Sequence, residues 1–252
     1  MPERAPQAES PPLLSRAHAL YLDFDGTLAE LAPRPDRVRI QRELPGLLLA
    51  LREQLRGAVA IITGRNLAIL DKFLEPVILP GAGLHGAELR TAGMELTPAR
   101  KPPGMDALAQ ALRERFAGVE GVLVEDKGAG VALHFRLAPA QSEACIGAMR
   151  QLASNPELEV ITGNRVVEAR ARDANKGNAL RVLAGHAPFA GRPPAFVGDD
   201  VTDEDGFRAA AELGGYGVKV GTDASAARYR CIDVNEVHDW LRSSLHGLEY
   251  GG

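Results

Sequence analysis

Short apolar runs that stop at acidic or glycine-containing clusters alternate along the chain with longer segments whose apolar residues recur every three or four positions. Residues 17–24 form the first run, residues 43–55 carry the helical period, and residues 58–62 form a second run ahead of Thr63-Gly64-Arg65. The rhythm continues as a predicted helix over 66–73 and a strand over 77–84. It returns near the C-terminus as helix 176–184, strand 195–198, helix 203–213 and strand 217–220. Strands and helices alternating in this way predict a parallel sheet with helices on both faces. Ligands of such sheets bind at the carboxyl ends of the strands. The polar clusters Asp23-Phe24-Asp25, Thr63-Gly64-Arg65 and Gly198-Asp199-Asp200 fall there, each directly after an apolar run.

The middle of the chain has another rhythm. A helix over 106–116 precedes two strands, 122–125 and 131–136, joined by Lys127-Gly128-Ala129-Gly130. A helix over 140–152 then precedes strands 158–161 and 165–169. Gly163 and Asn164 tolerate positive φ and suit a hairpin turn between the last two strands. The simplest organisation is an αββαββ unit over 97–169, inserted into a parallel-sheet domain formed by 16–96 and 170–252. Four prolines and two acids before Leu13 predict a disordered tail over 1–15 in place of a signal peptide. Residues 235–245 read as an amphipathic helix closing the sheet, and Phe189, Trp240 and Met149 as core.

Composition narrows the class. With 252 residues the chain can bury a core that needs no covalent staples. Its 29 basic and 33 acidic side chains leave a formal charge of −4, without the clustered Lys and Arg that phosphate neutralisation requires. Nucleic acid is therefore not an expected partner. Cys145 and Cys231 stand far apart in apolar surroundings, as reduced thiols of a cytoplasmic protein do. No apolar run is long enough for a membrane span.

The candidate chemistry is carboxylate chemistry. Asp23 and Asp25 share one side of a strand end and repel each other unless a cation or a shared proton intervenes. Taken alone, such a pair is more often a capping Asp and a turn Asp. From Asp199 to Asp205, however, five of seven residues are acids, more than capping and a helix dipole can use. Converging carboxylates without a histidine pair or a thiolate suit a hard cation such as Mg²⁺. Lys176 is one of only five lysines against 24 arginines, and a cation in the first turn of a helix requires compensation. Arg65 is open to substrate contact or to pairing with an acid. His85, between Gly83 and Gly86, is open to a structural or a ligand-contacting role.

Over residues 19–221 the chain resembles the haloacid dehalogenase superfamily of phosphatases. The superfamily's four motifs are matched in order by residues 23–28, Thr63-Gly64-Arg65, Lys176-Gly177 and residues 198–205. Residues 83–88, 124–127, 134–136, 167–168, 202–205 and 218–221 are similar to the motifs of its trehalose-6-phosphate phosphatase family. One departure is Ala169-Arg170-Ala171, where that family continues the Val-Glu strand with Arg-Pro.

The resemblance implies a Rossmann-like core with an inserted α+β cap, and Mg²⁺-dependent hydrolysis of trehalose 6-phosphate, the last step of trehalose biosynthesis, through an aspartyl phosphate. It implies Asp23 as nucleophile and Asp25 as acid and base. Mg²⁺ would be held by Asp23, the Asp25 backbone carbonyl and Asp199, with Asp200 and Asp203 behind them. Thr63 and Lys176 would take the phosphoryl oxygens, and Glu125, Lys127, Arg136 and Glu168 of the inserted unit the sugar, with Arg65 and His85 as further candidates for substrate binding. A monomer functionally linked to trehalose-6-phosphate synthase is expected. The alternatives are a sucrose-phosphate or mannosyl-3-phosphoglycerate phosphatase, a phosphoglucomutase-like phosphotransferase, and an inactive sugar-phosphate-sensing module.

Overall fold

The structure, a computed structural model, describes residues 9–251. Its elements run β1 (Ala19–Leu22), α1 (Leu44–Gln54), β2 (Val59–Ile62), α2 (Leu67–Leu74), β3 (Gly81–Gly83), β4 (Glu88–Arg90), β5 (Leu96–Thr97) and α3 (Met105–Arg115). Then follow β6 (Leu123–Asp126), β7 (Gly130–His134), α4 (Ser142–Leu152), β8 (Leu158–Gly163), β9 (Val166–Ala171) and α5 (Lys176–Ala184). The chain finishes with β10 (Pro194–Gly198), α6 (Glu204–Glu212), β11 (Tyr216–Val220), β12 (Tyr229–Cys231) and α7 (Val234–Tyr250).

The large sheet has the order β12-β11-β10-β1-β2-β3-β4-β5, parallel from β12 to β3. β1 is buried at all four positions, as a central parallel strand covered on both faces must be. Leu22 stands level with Val197 of β10 and Ile61 of β2, so Asp23, Thr63 and Asp199 leave three adjacent strands at one edge. That shared edge is what positions the site. The antiparallel β4 and β5 and the edge strand β12 were not foreseen, because strands of two or three residues carry no periodicity.

Two expectations change. The strand expected over 77–84 shrinks to Gly81–Gly83, since Pro80 has no N–H for a ladder and Leu84 and His85 turn left-handed at φ 50° and 59°. The tail expected to be disordered over 1–15 is ordered from Glu9, while residues 1–8 lie outside the described ones. Glu9 bridges Tyr229, the Trp240 indole donates to Pro12 O at 3.0 Å, and buried Leu14 donates its N–H to Ser244 at 3.2 Å. A short apolar segment among prolines finds enough surface on α7 to order it.

The small sheet is antiparallel in the order β6-β7-β9-β8. Val131, Leu133, Val167, Ala169 and Leu158 pack with Met105, Leu108, Leu112, Cys145 and Met149 of α3 and α4 into a separate core. Strand alternation turns Glu125, His134, Glu168 and Arg170 to the opposite face. This sheet continues to Ala171, and Thr97 pairs in the large sheet. In its 163–166 hairpin the positive φ falls on Arg165, at 64°, and not on Gly163 or Asn164. Among the described residues no helix is long and apolar enough to cross a membrane.

Candidate active site

β1 delivers Asp23 to the sheet edge, where its N–H is held by Val197 O at 2.9 Å and its side chain is buried. Three residues on, Gly26 turns left-handed at φ 82°, and a Cβ there would lie 2.1 Å from the Asp199 carboxylate. No other residue allows the two acidic loops to approach so closely. Carboxylate oxygens of Asp23, Asp199 and Asp203 all fall within 4.8 Å of one another.

Lys176, 2% exposed at the start of α5, donates to Asp23 and Asp203 at 2.7 Å each. These acids supply the compensation its helix position demands. Burial opposes the Lys176 ammonium, yet the Asp203 and Asp23 charges hold its pKa above the ordinary lysine value. The acids respond oppositely. Burial raises Asp23 well above the usual carboxylate range despite Lys176, and raises Asp199 to about 7 with help from Asp203 and Asp200. Asp203 accepts the Asp199 and Asp200 N–H groups at 3.0 and 2.9 Å as well as Lys176, so both its oxygens are committed to shaping the loop.

Asp25 faces a different partner. Arg65 grips it through two hydrogen bonds of 2.6 and 2.7 Å, donates a third to Pro35 O at 3.1 Å, and lies over the Phe24 and Phe73 rings. Of the two openings for Arg65, the structure shows pairing with an acid. Thr63 is fully buried, its hydroxyl accepting the Arg65 N–H at 3.1 Å, and Gly64 forms the cavity wall in its place.

A cavity of about 180 Å³ joins this floor to the small sheet above it. Lys127 and Glu168 pair there at 2.7 Å, Glu125 meets His134 at 2.7 Å, and Arg136 donates to Asn164 O at 2.9 Å. Although burial works to raise Glu168, adjacent Lys127 and His85 hold it far below the usual carboxylate range. Burial lowers His85 to about 4 against the pull of Glu168, 3.5 Å away, so the imidazole is neutral near pH 7. All six residues expected to bind substrate thus line one cavity with Asp23, Asp25, Lys176 and Asp199.

The trehalose-phosphatase family model matches residues 21–234. The chain belongs to this family. It is 38% identical to the trehalose-6-phosphate phosphatase of Escherichia coli (strain K12), over 94% of this chain and 90% of that protein. To the probable trehalose-phosphate phosphatase of Sinorhizobium fredii it is 41% identical, over 83% and 80%. The C-terminal domain of the Candida albicans trehalose-6-phosphate phosphatase superimposes with a TM-score of 0.82 at 22% identity, covering 92% of this chain and 93% of that one. A haloacid dehalogenase-like hydrolase from Bacillus subtilis shares the fold at a TM-score of 0.60 and 16% identity, over 92% and 99%. As a member of the trehalose-phosphatase family, the protein is a phosphoric monoester hydrolase.

The donor set of this trehalose-phosphatase fits a hard divalent cation. Among the described residues Lys176 is the only cation within salt-bridge distance of Asp23, Asp199 and Asp203, so carboxylates outnumber ammonium groups where their oxygens converge. The oxygen donors carry no soft ligand. Other contributors to the cavity were not foreseen as site residues. His134 and Arg170 share the alternation that marks Glu168, and that signal could have found them. The apolar wall from Leu31 to Val38 has irregular backbone and no such signal.

Proposed function

We propose that this phosphatase hydrolyses trehalose 6-phosphate to trehalose and phosphate, with Mg²⁺ as cofactor and an aspartyl phosphate as intermediate. The carrying observation is the single cavity in which a buried carboxylate-lysine pair lies beneath a roof of alternating acids and bases. Two relatives of the chain, at 38% and 41% identity, are named for trehalose 6-phosphate and for trehalose phosphate and support the same substrate. Residues 98–171 act as the cap, and residues 9–97 with 172–251 as the core.

In this reading an Asp23 oxygen attacks phosphorus, and the bond from phosphorus to the sugar oxygen breaks. Asp25 gives its proton to the departing oxygen, then takes one from the water that attacks the aspartyl phosphate and restores Asp23. Because Arg65 occupies both oxygens of Asp25, it orients that carboxyl, and one of its hydrogen bonds must yield for the proton to move. Lys176 meets the phosphoryl oxygens while holding Asp23 in place. Asp23, the Asp25 carbonyl and Asp199 would hold Mg²⁺, whose charge lets an anionic phosphate approach these acids.

Phosphate release across a panel of sugar phosphates, with and without Mg²⁺, tests the proposal. Trehalose 6-phosphate should far exceed glucose 6-phosphate, because lost contacts to the remote sugar lower the rate as well as the affinity. Equal catalytic efficiency on the two would defeat the cap-recognition reading. Exhaustive chelation should abolish turnover, Mg²⁺ should restore it, and Ca²⁺, with its looser shell, should restore it poorly. Full activity after chelation would remove the cation from the mechanism.

A cap variant separates recognition from chemistry. Lys127→Ala should cost trehalose 6-phosphate about 1 to 3 kcal/mol in kcat/KM, the cost of leaving buried hydrogen-bonding groups unpaired. A small aryl phosphate, which needs only the floor, should be cleaved at nearly the normal rate. An equal loss on both substrates would make Lys127 structural or catalytic.

A further inference from the structure

The remaining buried cation of the floor, Lys219, has an unusual setting. It lies in β11 opposite Gly198 of β10, is 3% exposed, and has no carboxylate partner among the described residues. Its ammonium donates to two backbone carbonyls, those of Asp199 and of Val220, the latter at 2.8 Å. Burying an ammonium costs several kcal/mol unless nearby charge or hydrogen bonds compensate it. Carbonyl dipoles supply part of that compensation. Asp199 adds an attraction through space.

The consequence falls on one residue. Asp199 is held on both sides of its Cα: its N–H by Asp203 at 3.0 Å, its C=O by Lys219. With the backbone fixed at both ends, only side-chain rotation is left to the Asp199 carboxylate. We propose that Lys219 is a positioning residue for the cation site, tying the carbonyls of Asp199 and Val220 together so that the Asp199 carboxylate stays turned toward Asp23. The inference rests on the proposed Mg²⁺ site. Asp203 fixes the entry to the loop and Lys219 its exit, which explains why a lysine occupies an otherwise apolar, buried strand.

The test is a calorimetric titration of the full chain with Mg²⁺, together with the Mg²⁺-induced rise in Tm, for wild type, Lys219→Met and Lys219→Arg. A positioning role predicts that Lys219→Met weakens Mg²⁺ binding by roughly tenfold or more, as loss of a group orienting a metal ligand does. The Mg²⁺-induced rise in Tm should shrink in parallel. Charge alone predicts the opposite sign, because removing a positive charge beside a cation site tightens binding; unchanged or tighter binding by Lys219→Met overturns the proposal. Lys219→Arg keeps the charge but cannot seat a planar fork on the same two carbonyls. It should fold and bind Mg²⁺ more weakly than wild type, and binding equal to wild type overturns the proposal even if Lys219→Met does not fold. Wild type that takes up no Mg²⁺ in the same titration would instead defeat the cation-site reading on which the inference stands.

Discussion

Lys176→Met should abolish measurable phosphate release and destabilise the fold by about 3 to 5 kcal/mol, the usual cost of leaving buried charges without their partner. The loss of activity follows from the two bonds of 2.7 Å that Lys176 makes to Asp23 and Asp203, since both the proposed nucleophile and the loop-shaping acid depend on it. The loss of stability depends on pH. Because the folded-state pKa of Lys176 is raised, its contribution is complete below the free-lysine value of about 10.4 and fades only as pH rises toward the folded value. Between pH 6 and 9 the wild type therefore keeps that contribution in full. In the variant, Asp23, Asp199 and Asp203 can lower their mutual repulsion only by taking up protons. The deficit in urea denaturation should therefore narrow toward pH 5. A variant as stable as wild type at pH 8 would show that the acids do not depend on this lysine.

Asp23→Asn should separate stability from activity. No phosphoenzyme should form, and kcat should fall by roughly 10⁴ or more, as it does when a catalytic nucleophile is deleted. The same substitution should raise the Tm of the Mg²⁺-free protein at pH 8. Burial raises the folded-state pKa of Asp23, so the folded protein holds this proton more tightly than the unfolded chain. Stability is then lost as pH rises from the free value of about 3.9 through the folded value. A neutral Asn avoids that loss, so its advantage should grow across this window and shrink when Mg²⁺ is added to both proteins. Scanning calorimetry at pH 5 and pH 8 decides the matter, and a lower Tm at pH 8 without Mg²⁺ would refute the argument.

Much of the site was legible because its acids are local in sequence. Asp23 and Asp25 follow β1 directly, Asp199 follows β10, and a strand end needs no tertiary knowledge to be recognised as the place where a parallel sheet binds its ligand. The cap residues were legible through motifs, and Glu125 and Glu168 also share one face by the period-two alternation of β6 and β9. His134 and Arg170 lie on that same face and could have been found the same way. The ordered segment from Glu9 was not legible. Its prolines and acids resemble those of a free chain, and only the surface of α7 against it supplies the compensating burial.

The sequence by itself determined the alternation of strands and helices, the inserted antiparallel unit and the strand-end acids, because each is a property of neighbouring residues and the period they share. Strand order was decided only by the tertiary structure, and with it the partner of every charge. Arg65 grips Asp25 from 40 residues away, Lys176 reaches Asp203 across 27, and Lys219 ties down Asp199 across 20. Which cation meets which acid depends on which strands lie side by side and how their ends are staggered. Electrostatic energy falls with distance in space and takes no account of distance along the chain. Residue types therefore revealed that compensation was required, and packing alone chose how it was met.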